Sequence, residues 1–174
     1  MAIHIIIDGY NLIRQSPELS ALDTQDLQLG REALVDMLAA YKKLKPHQIT
    51  VVFDGTDEPS LYGNHDRAKG ISLRYSHGGK SADDVIGRMA RREKGRALVV
   101  SSDREVMAAA ESAGAATMDS AAFEDKVSMA RYMLLKGGGE PDESTGWQPT
   151  TRKKGPSRRL SKRKRKAKAK VEKL

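Results

Sequence analysis

Four short apolar runs, set apart by segments of helical spacing, constrain this chain more than any other feature. They are residues 3–7 (IHIII), 49–53 (ITVVF), 71–75 (ISLRY) and 97–100 (ALVV). The first, second and fourth are apolar nearly throughout, the mark of strands covered on both faces; the third is weaker. Between them lie helical stretches. Residues 28–44 align Leu34, Met37, Leu38 and Tyr41, and the helix after Gly79 aligns Ala82, Val85, Ile86, Met89 and Ala90. A short helix is expected over 104–113, a fifth strand over 115–118, and a last helix over 120–136 that ends at three glycines. Residues 56–70, rich in Gly, Pro, Asn and Asp, read as a loop. Strand–helix alternation predicts a three-layer, Rossmann-like α/β domain with a mostly parallel sheet over residues 1–136.

That architecture places the polar residues. Ligands bind beyond the carboxyl ends of parallel strands, where strand order reverses. Asp8, Asp54 and Asp103 each follow an apolar run, and Asp83 and Asp84 open the helix after the third. Singly, each is more often a turn or helix cap: Ser81 to Asp84 has capping-box spacing, as has Ser102 to Glu105. Together they crowd carboxylates onto one edge, where each raises the pKa of its neighbours. A divalent cation is the simplest compensation. Oxygen-only donors suit Mg²⁺ or Mn²⁺ rather than zinc, and Asp8, Asp83 and Asp103 suffice as direct or water-mediated ligands. Such an ion can activate water and hold a scissile phosphate, so the edge reads as a metal-dependent nuclease site.

Charge supports that reading. Of 31 Lys and Arg and 23 acidic residues, 13 basic and one acidic fall within 152–174, a net of +12 that leaves −4 for the rest. A flexible linker over 137–151 and a disordered Lys/Arg-rich tail over 152–174 are expected. So dense a block favours nucleic acid, and the absence of an apolar face counts against membrane binding. Arg152, Lys153, Lys154, Arg158, Arg159, Lys162, Arg163, Lys164, Arg165 and Lys166 are candidate phosphate contacts, with Lys80 and Arg104 beside the acidic edge. With no cysteine, no signal-like leader and no long apolar run, a cytoplasmic location is expected.

Two decoys fail. Gly79-Lys80-Ser81 lacks the glycine that a P-loop needs five positions earlier, where Arg74 stands. The four histidines lack metal-ligand spacing; only His77 lies beside the acidic edge, and loop solvation explains it. Tyr10 suits either base stacking or a core position.

IIIDGYNLI (5–13), VVFDG (51–55), KSADDVI (80–86) and VVSSD (99–103), taken together, resemble the NYN domain, and within it the bacterial YacP-like branch of the PIN-like nuclease fold. The resemblance runs from residue 3 to 136 in order and spacing. It implies an endoribonuclease that hydrolyses RNA phosphodiesters, including mRNA at the ribosome, since some members are ribosome-associated. It further implies that Asp8 and Asp83 are principal metal ligands and that Asn11 holds a metal water or the phosphate. Asp103 would complete the site with Ser102 in support, and Asp54 would orient. Asp84 stands where relatives carry glutamate, and the basic tail lies outside the shared motifs. The rival from another class is a non-catalytic RNA- or ribosome-binding protein that keeps the fold. A DNA-directed 5′-nuclease or a phosphatase ranks lower, for want of a two-helix insertion or an Asp-x-Asp loop.

Overall fold

The computed structural model describes residues 3–55, 65–136 and 162–174. Six strands form one sheet in the order β3-β4-β2-β1-β5-β6, built from β1 (His4–Asp8), β2 (Gln48–Phe53), β3 (His65–Ala68), β4 (Ile71–Tyr75), β5 (Ala97–Val100) and β6 (Ala116–Met118). All pairings are parallel except β3 with β4. The helices are α1 (Gly9–Gln15), α2 (Pro17–Gln25), α3 (Leu27–Leu44), α4 (Ala82–Glu93), α5 (Arg104–Ser112), α6 (Ser120–Leu135) and α7 (Lys162–Val171).

The continuous apolar runs are explained by two cores, one on each sheet face. Ile5, Ile7, Val51, Phe53, Leu98 and Val100 point to the layer of α1, α3 and α6, while Ile6, Val52, Ala97 and Val99 point to α4 and α5. Each strand thus alternates between two buried faces, which leaves no solvated side to be polar. The three-layer, mostly parallel expectation holds.

Two sequence expectations need correction, and two helices were not anticipated. The supposed loop over 56–70 contains β3 at its end, an antiparallel edge strand made of His-Asp-Arg-Ala; its polarity hid it, and residues 56–64 lie outside the described residues. Helices α1 and α2 carry no clear sequence signal, because one is short and the other has little apolar contrast between its faces. The basic tail is also not wholly unstructured. Residues 162–171 are helical, Ala167 and Val171 pack on the larger core, and Leu174 is buried. The Tyr41 hydroxyl donates to the Leu174 carbonyl at 3.0 Å. The rest of the expected linker and tail, 137–161, lies outside the described residues.

His4 is a buried polar residue within β1, with Nε2 2.8 Å from Thr50 Oγ1 and Nδ1 3.7 Å from Glu93. Burial pushes its pKa below the usual value of 6.5, although Glu93 pulls it part of the way back. Unfolded chains therefore take up a proton on His4 before folded ones do. Its contribution to stability is complete above pH 6.5 and is lost as the pH falls from there through the folded-state pKa. Urea midpoints at about pH 7.5 and about pH 5.5 should show this loss, and His4→Gln should reduce the difference between them.

Candidate active site at the sheet switch point

Strand order reverses at β1, which has β2 on one side and β5 on the other. The carboxyl ends of these strands open into a cavity of about 430 Å³. Asp8, Asp54, Asp83 and Asp103 all line it, one from each of four chain segments. Sequence spacing anticipated this convergence.

Each aspartate is held differently. Asp8 ends β1 and caps α1: one carboxylate oxygen accepts from the Asn11 amide at 3.3 Å, the other from Ser101 Oγ at 3.2 Å. Asp54 Oδ1 accepts from Ser76 Oγ at 3.1 Å and from the Ala82 amide at 2.6 Å. That second bond anchors the first residue of α4 and so places Asp83 beside it. Asp103 caps α5, with Oδ1 accepting from the Glu105 and Val106 amides at 2.7 and 3.3 Å. Asp83 spends neither oxygen on a partner among the described residues.

Crowding shows in the proton affinities. Burial raises the pKa of Asp8, and the charges of Asp83 and Asp54 raise it further, against hydrogen bonds from Asn11 and Ser101. Asp83 is likewise raised by burial first, then by Asp103, Asp54, Asp84 and Glu105. The cavity therefore repels added negative charge and favours a cation.

Other expected residues take different places. Asp84 closes a capping box with Ser81, with reciprocal bonds of 3.2 Å, and lines a separate depression rather than this cavity. Asn11 lines the cavity, but its Oδ1 is taken by the Ser102 amide at 2.8 Å and by Ser120 Oγ at 2.7 Å. Its carbonyl end ties α1 to the turn after β5 and to α6, and only its Nδ2 lacks a partner among the described residues. Asn11→Ala should strand two donors and cost about 1–3 kcal/mol in a urea titration. Ser102 Oγ donates to Asp119 at 2.7 Å, which braces the start of α6 rather than Asp103. Arg104 is exposed on the first turn of α5, and Lys80 lines a different, basic cavity.

Sequence reasoning missed several contributors. Ser101, fully buried, bonds both Asp8 and the Asp103 amide, the latter at 3.1 Å, and so couples the two acids. The doubled serine in VVSSD was the available signal, but side-chain direction could not be read from it. Asp23 of α2 and Arg14 of α1 also line the cavity, from helices that carry no clear pattern. Tyr10 sits on its wall, packed edge-on against Phe53 with ring centroids 5.1 Å apart, and its hydroxyl accepts from Arg31.

The donor set fits a hard divalent ion. Among the described residues no three His, Cys, Asp or Glu side chains close on one point. Mg²⁺ does not require that: it binds through one or two carboxylates and keeps several waters. Asp83, with both oxygens open, and Asp8 beside it meet this need.

The basic helix lies elsewhere. Lys170 Nζ donates to the Gly95 carbonyl, and α7 borders a cavity lined by Gly95, Gly114 and Ala115. Those residues precede β5 and β6, so α7 sits at the amino-terminal edge of the sheet, opposite the acidic cavity. Lys164, Arg165 and Lys166 are exposed on it, and Lys162 and Arg163 belong to the same helix. Arg152, Lys153, Lys154, Arg158 and Arg159 lie outside the described residues.

A mostly parallel sheet with acids gathered at its switch point defines a nuclease-type α/β domain of the PIN-like class. The chain belongs to the YacP-like NYN domain family, whose model matches residues 5–173 and so takes in the basic helix. An uncharacterized protein YacP from Bacillus subtilis (strain 168) is 24% identical over 86 residues, 49% of this chain; the chain spans about half the length of that relative. The crystal structure of Rae1 (YacP) from Bacillus subtilis superposes with a TM-score of 0.64 at 22% identity, covering 78% of this chain and 79% of that one. The crystal structure of a mutant of the same Rae1 gives 0.63 at 20% identity, covering 76% and 79%. Among the described residues no helix is long and apolar enough to cross a membrane.

Proposed function

We propose that this protein is a metal-dependent endoribonuclease that hydrolyses RNA phosphodiester bonds at the acidic cavity. The observation that carries the reading is the convergence of Asp8, Asp54, Asp83 and Asp103 on one cavity at the switch point. Asp8 and Asp83 would hold Mg²⁺ or Mn²⁺, with Asp103 as a further ligand, direct or through water. When bound, the ion supplies Lewis-acid polarisation of the phosphate and activation of a water.

The chain's own groups do the rest. Ser101 and the Asn11 amide fix both oxygens of Asp8, so its carboxylate cannot swing away from the cavity. Asp54 fixes Asp83 by anchoring the start of α4. The Asn11 Nδ2 amide can donate to a phosphate oxygen without losing either bond on its carbonyl. Arg14, on the rim, can pair with an entering phosphate.

RNA at the ribosome is the substrate setting this reading favours. The +12 charge of residues 152–174 suits a large polyanion, and α7 presents part of it at the pole opposite the cavity. That helix would anchor the body on RNA while the acidic edge stays free.

Labelled single-stranded RNA incubated with the purified protein in Mn²⁺ should be cut internally, and chelator should stop it. Cleavage unaffected by chelator would overturn the metal-dependent reading. Tight binding without any cleavage would favour the non-catalytic RNA-binding alternative. Ser101→Ala, which frees one oxygen of Asp8, should lower the cleavage rate about 10–100-fold with RNA affinity unchanged.

A further inference from the structure

A second cavity, of about 470 Å³, lies between β4 and α4, and no step of the proposed cleavage uses it. Its rim carries Arg74 from β4, Lys80 from the loop before α4, and Arg88 and Arg92 from α4. Its floor is apolar, made by Tyr75, Val85 and Met89. We propose that this cavity is a binding subsite for the RNA strand on one side of the scissile bond, with the rim cations holding phosphates and the floor taking a sugar or base. The proposal rests on the endoribonuclease reading above and adds where the substrate lies.

Three observations support it. The rim cations are largely uncompensated: among the described residues Arg74 and Lys80 have no carboxylate partner, Arg88 bonds only the Asp84 carbonyl, and only Arg92 pairs with an acid, Glu93. Arg88 and Arg92 lie four residues apart on one helix face, a spacing at which like charges repel. Burial and the charges of Arg92 and Arg88 hold the Arg74 guanidinium below its ordinary pKa. A cluster that weakens the fold in this way suits an anion that is absent from the free protein.

The second observation is position. Asp83 faces the acidic cavity from the second residue of α4, and the basic cavity begins at Lys80, just ahead of that helix. At about 1.5 Å of rise per residue, Arg88 and Arg92 lie roughly 8 and 14 Å along the axis from Asp83. One strand can therefore cross the acidic edge and continue along α4. The third is chemistry. The body is net acidic, so this rim is a local reversal of charge, and a cationic rim over an aromatic and aliphatic floor matches a single-stranded nucleotide. A bare inorganic anion has no use for the floor.

The test is RNA binding by the full chain in chelator, followed by fluorescence anisotropy across a salt series. Arg88→Gln with Arg92→Gln should weaken binding of a single-stranded RNA about tenfold or more and lower the salt slope by roughly 1.4, near 0.7 for each phosphate no longer neutralised. Both residues are exposed, so the variant should melt at or above the wild-type temperature. Unchanged affinity and slope would overturn the subsite even if the wild type cuts RNA. Loss of both stability and affinity would mark the arginines as structural and also overturn it. If the wild type neither binds nor cuts RNA, both readings fall. Equal loss for a free mononucleotide and for the long strand would make the cavity a nucleotide pocket rather than part of a strand path, and would overturn the proposal as stated.

Discussion

Asp83→Asn should lower the RNA cleavage rate by about 10²–10³-fold, while Asp84→Asn should not. The two neighbours share a helix turn and a charge but differ in their bonds. Asp83 lines the acidic cavity with both oxygens open, and electrostatic groups at the reacting centre carry losses of roughly 10²–10³ each. Asp84 spends its carboxylate on the Ser81 amide; asparagine keeps that acceptor and loses only a negative charge in the first helix turn, so its replacement should cost about 0.3–1 kcal/mol of stability and little activity. Stability separates the two again. Burial and neighbouring acids raise the pKa of Asp83, so its ionised form opposes folding above the ordinary carboxylate range and the penalty fades as the pH falls toward it. At about pH 7.5 Asp83→Asn should melt at or above the wild type, and Asp84→Asn below it. Thermal melts and single-turnover cleavage of the same preparations check both statements. Equal activity losses in the two variants would contradict the assignment.

Gly9→Ala should be a damaging conservative change, destabilising by about 1–3 kcal/mol and, at roughly 2–4 °C per kcal/mol for a chain of this size, lowering Tm by several degrees. Gly9 is absent from the residues of positive φ and begins α1 directly, so no sharp turn requires it. It is required by close approach. A Cβ there would stand 2.6 Å from Phe53 Cδ1 and 2.9 Å from Val51 Cγ1. Phe53 cannot yield easily: it is fully buried between Tyr10 and Tyr75, with ring centroids 5.1 and 5.8 Å away, and Arg31 lies 5.4 Å from its ring. Relief must come from moving α1, which carries Asn11 and the amide that holds Asp8. The cleavage rate should therefore fall further than the melting temperature alone explains. A full-strength Gly9→Ala enzyme with unchanged Tm would refute this packing argument.

The sheet was legible because β-branched runs buried on both faces leave a signal that needs no partner to interpret. The acids were legible for a related reason: a strand end in a parallel sheet fixes its own location, so Asp8, Asp54 and Asp103 could be put on one edge without coordinates. What the sequence hid depends on side-chain direction. Ser101 and Ser102 are adjacent, yet one reaches Asp8 and the other Asp119, since successive residues leaving a strand point to opposite sides. Nor could the sequence show that the Asn11 carbonyl oxygen is bonded to Ser102 and Ser120, which leaves only its Nδ2 for a substrate. The basic tail misled for another reason. Its composition is that of a disordered segment, but Ala167, Val171 and Leu174 supply enough apolar surface to seat one helix on the body.

The central claim is that the acidic cavity holds a divalent cation through Asp8 and Asp83. Calorimetric titration of Mn²⁺ into the apo protein tests it without relying on activity. The wild type should bind Mn²⁺ at a specific site, and the Asp8→Asn, Asp83→Asn double variant, folded as judged by its melt, should lose that site. The same Mn²⁺ isotherm from both proteins would contradict the account.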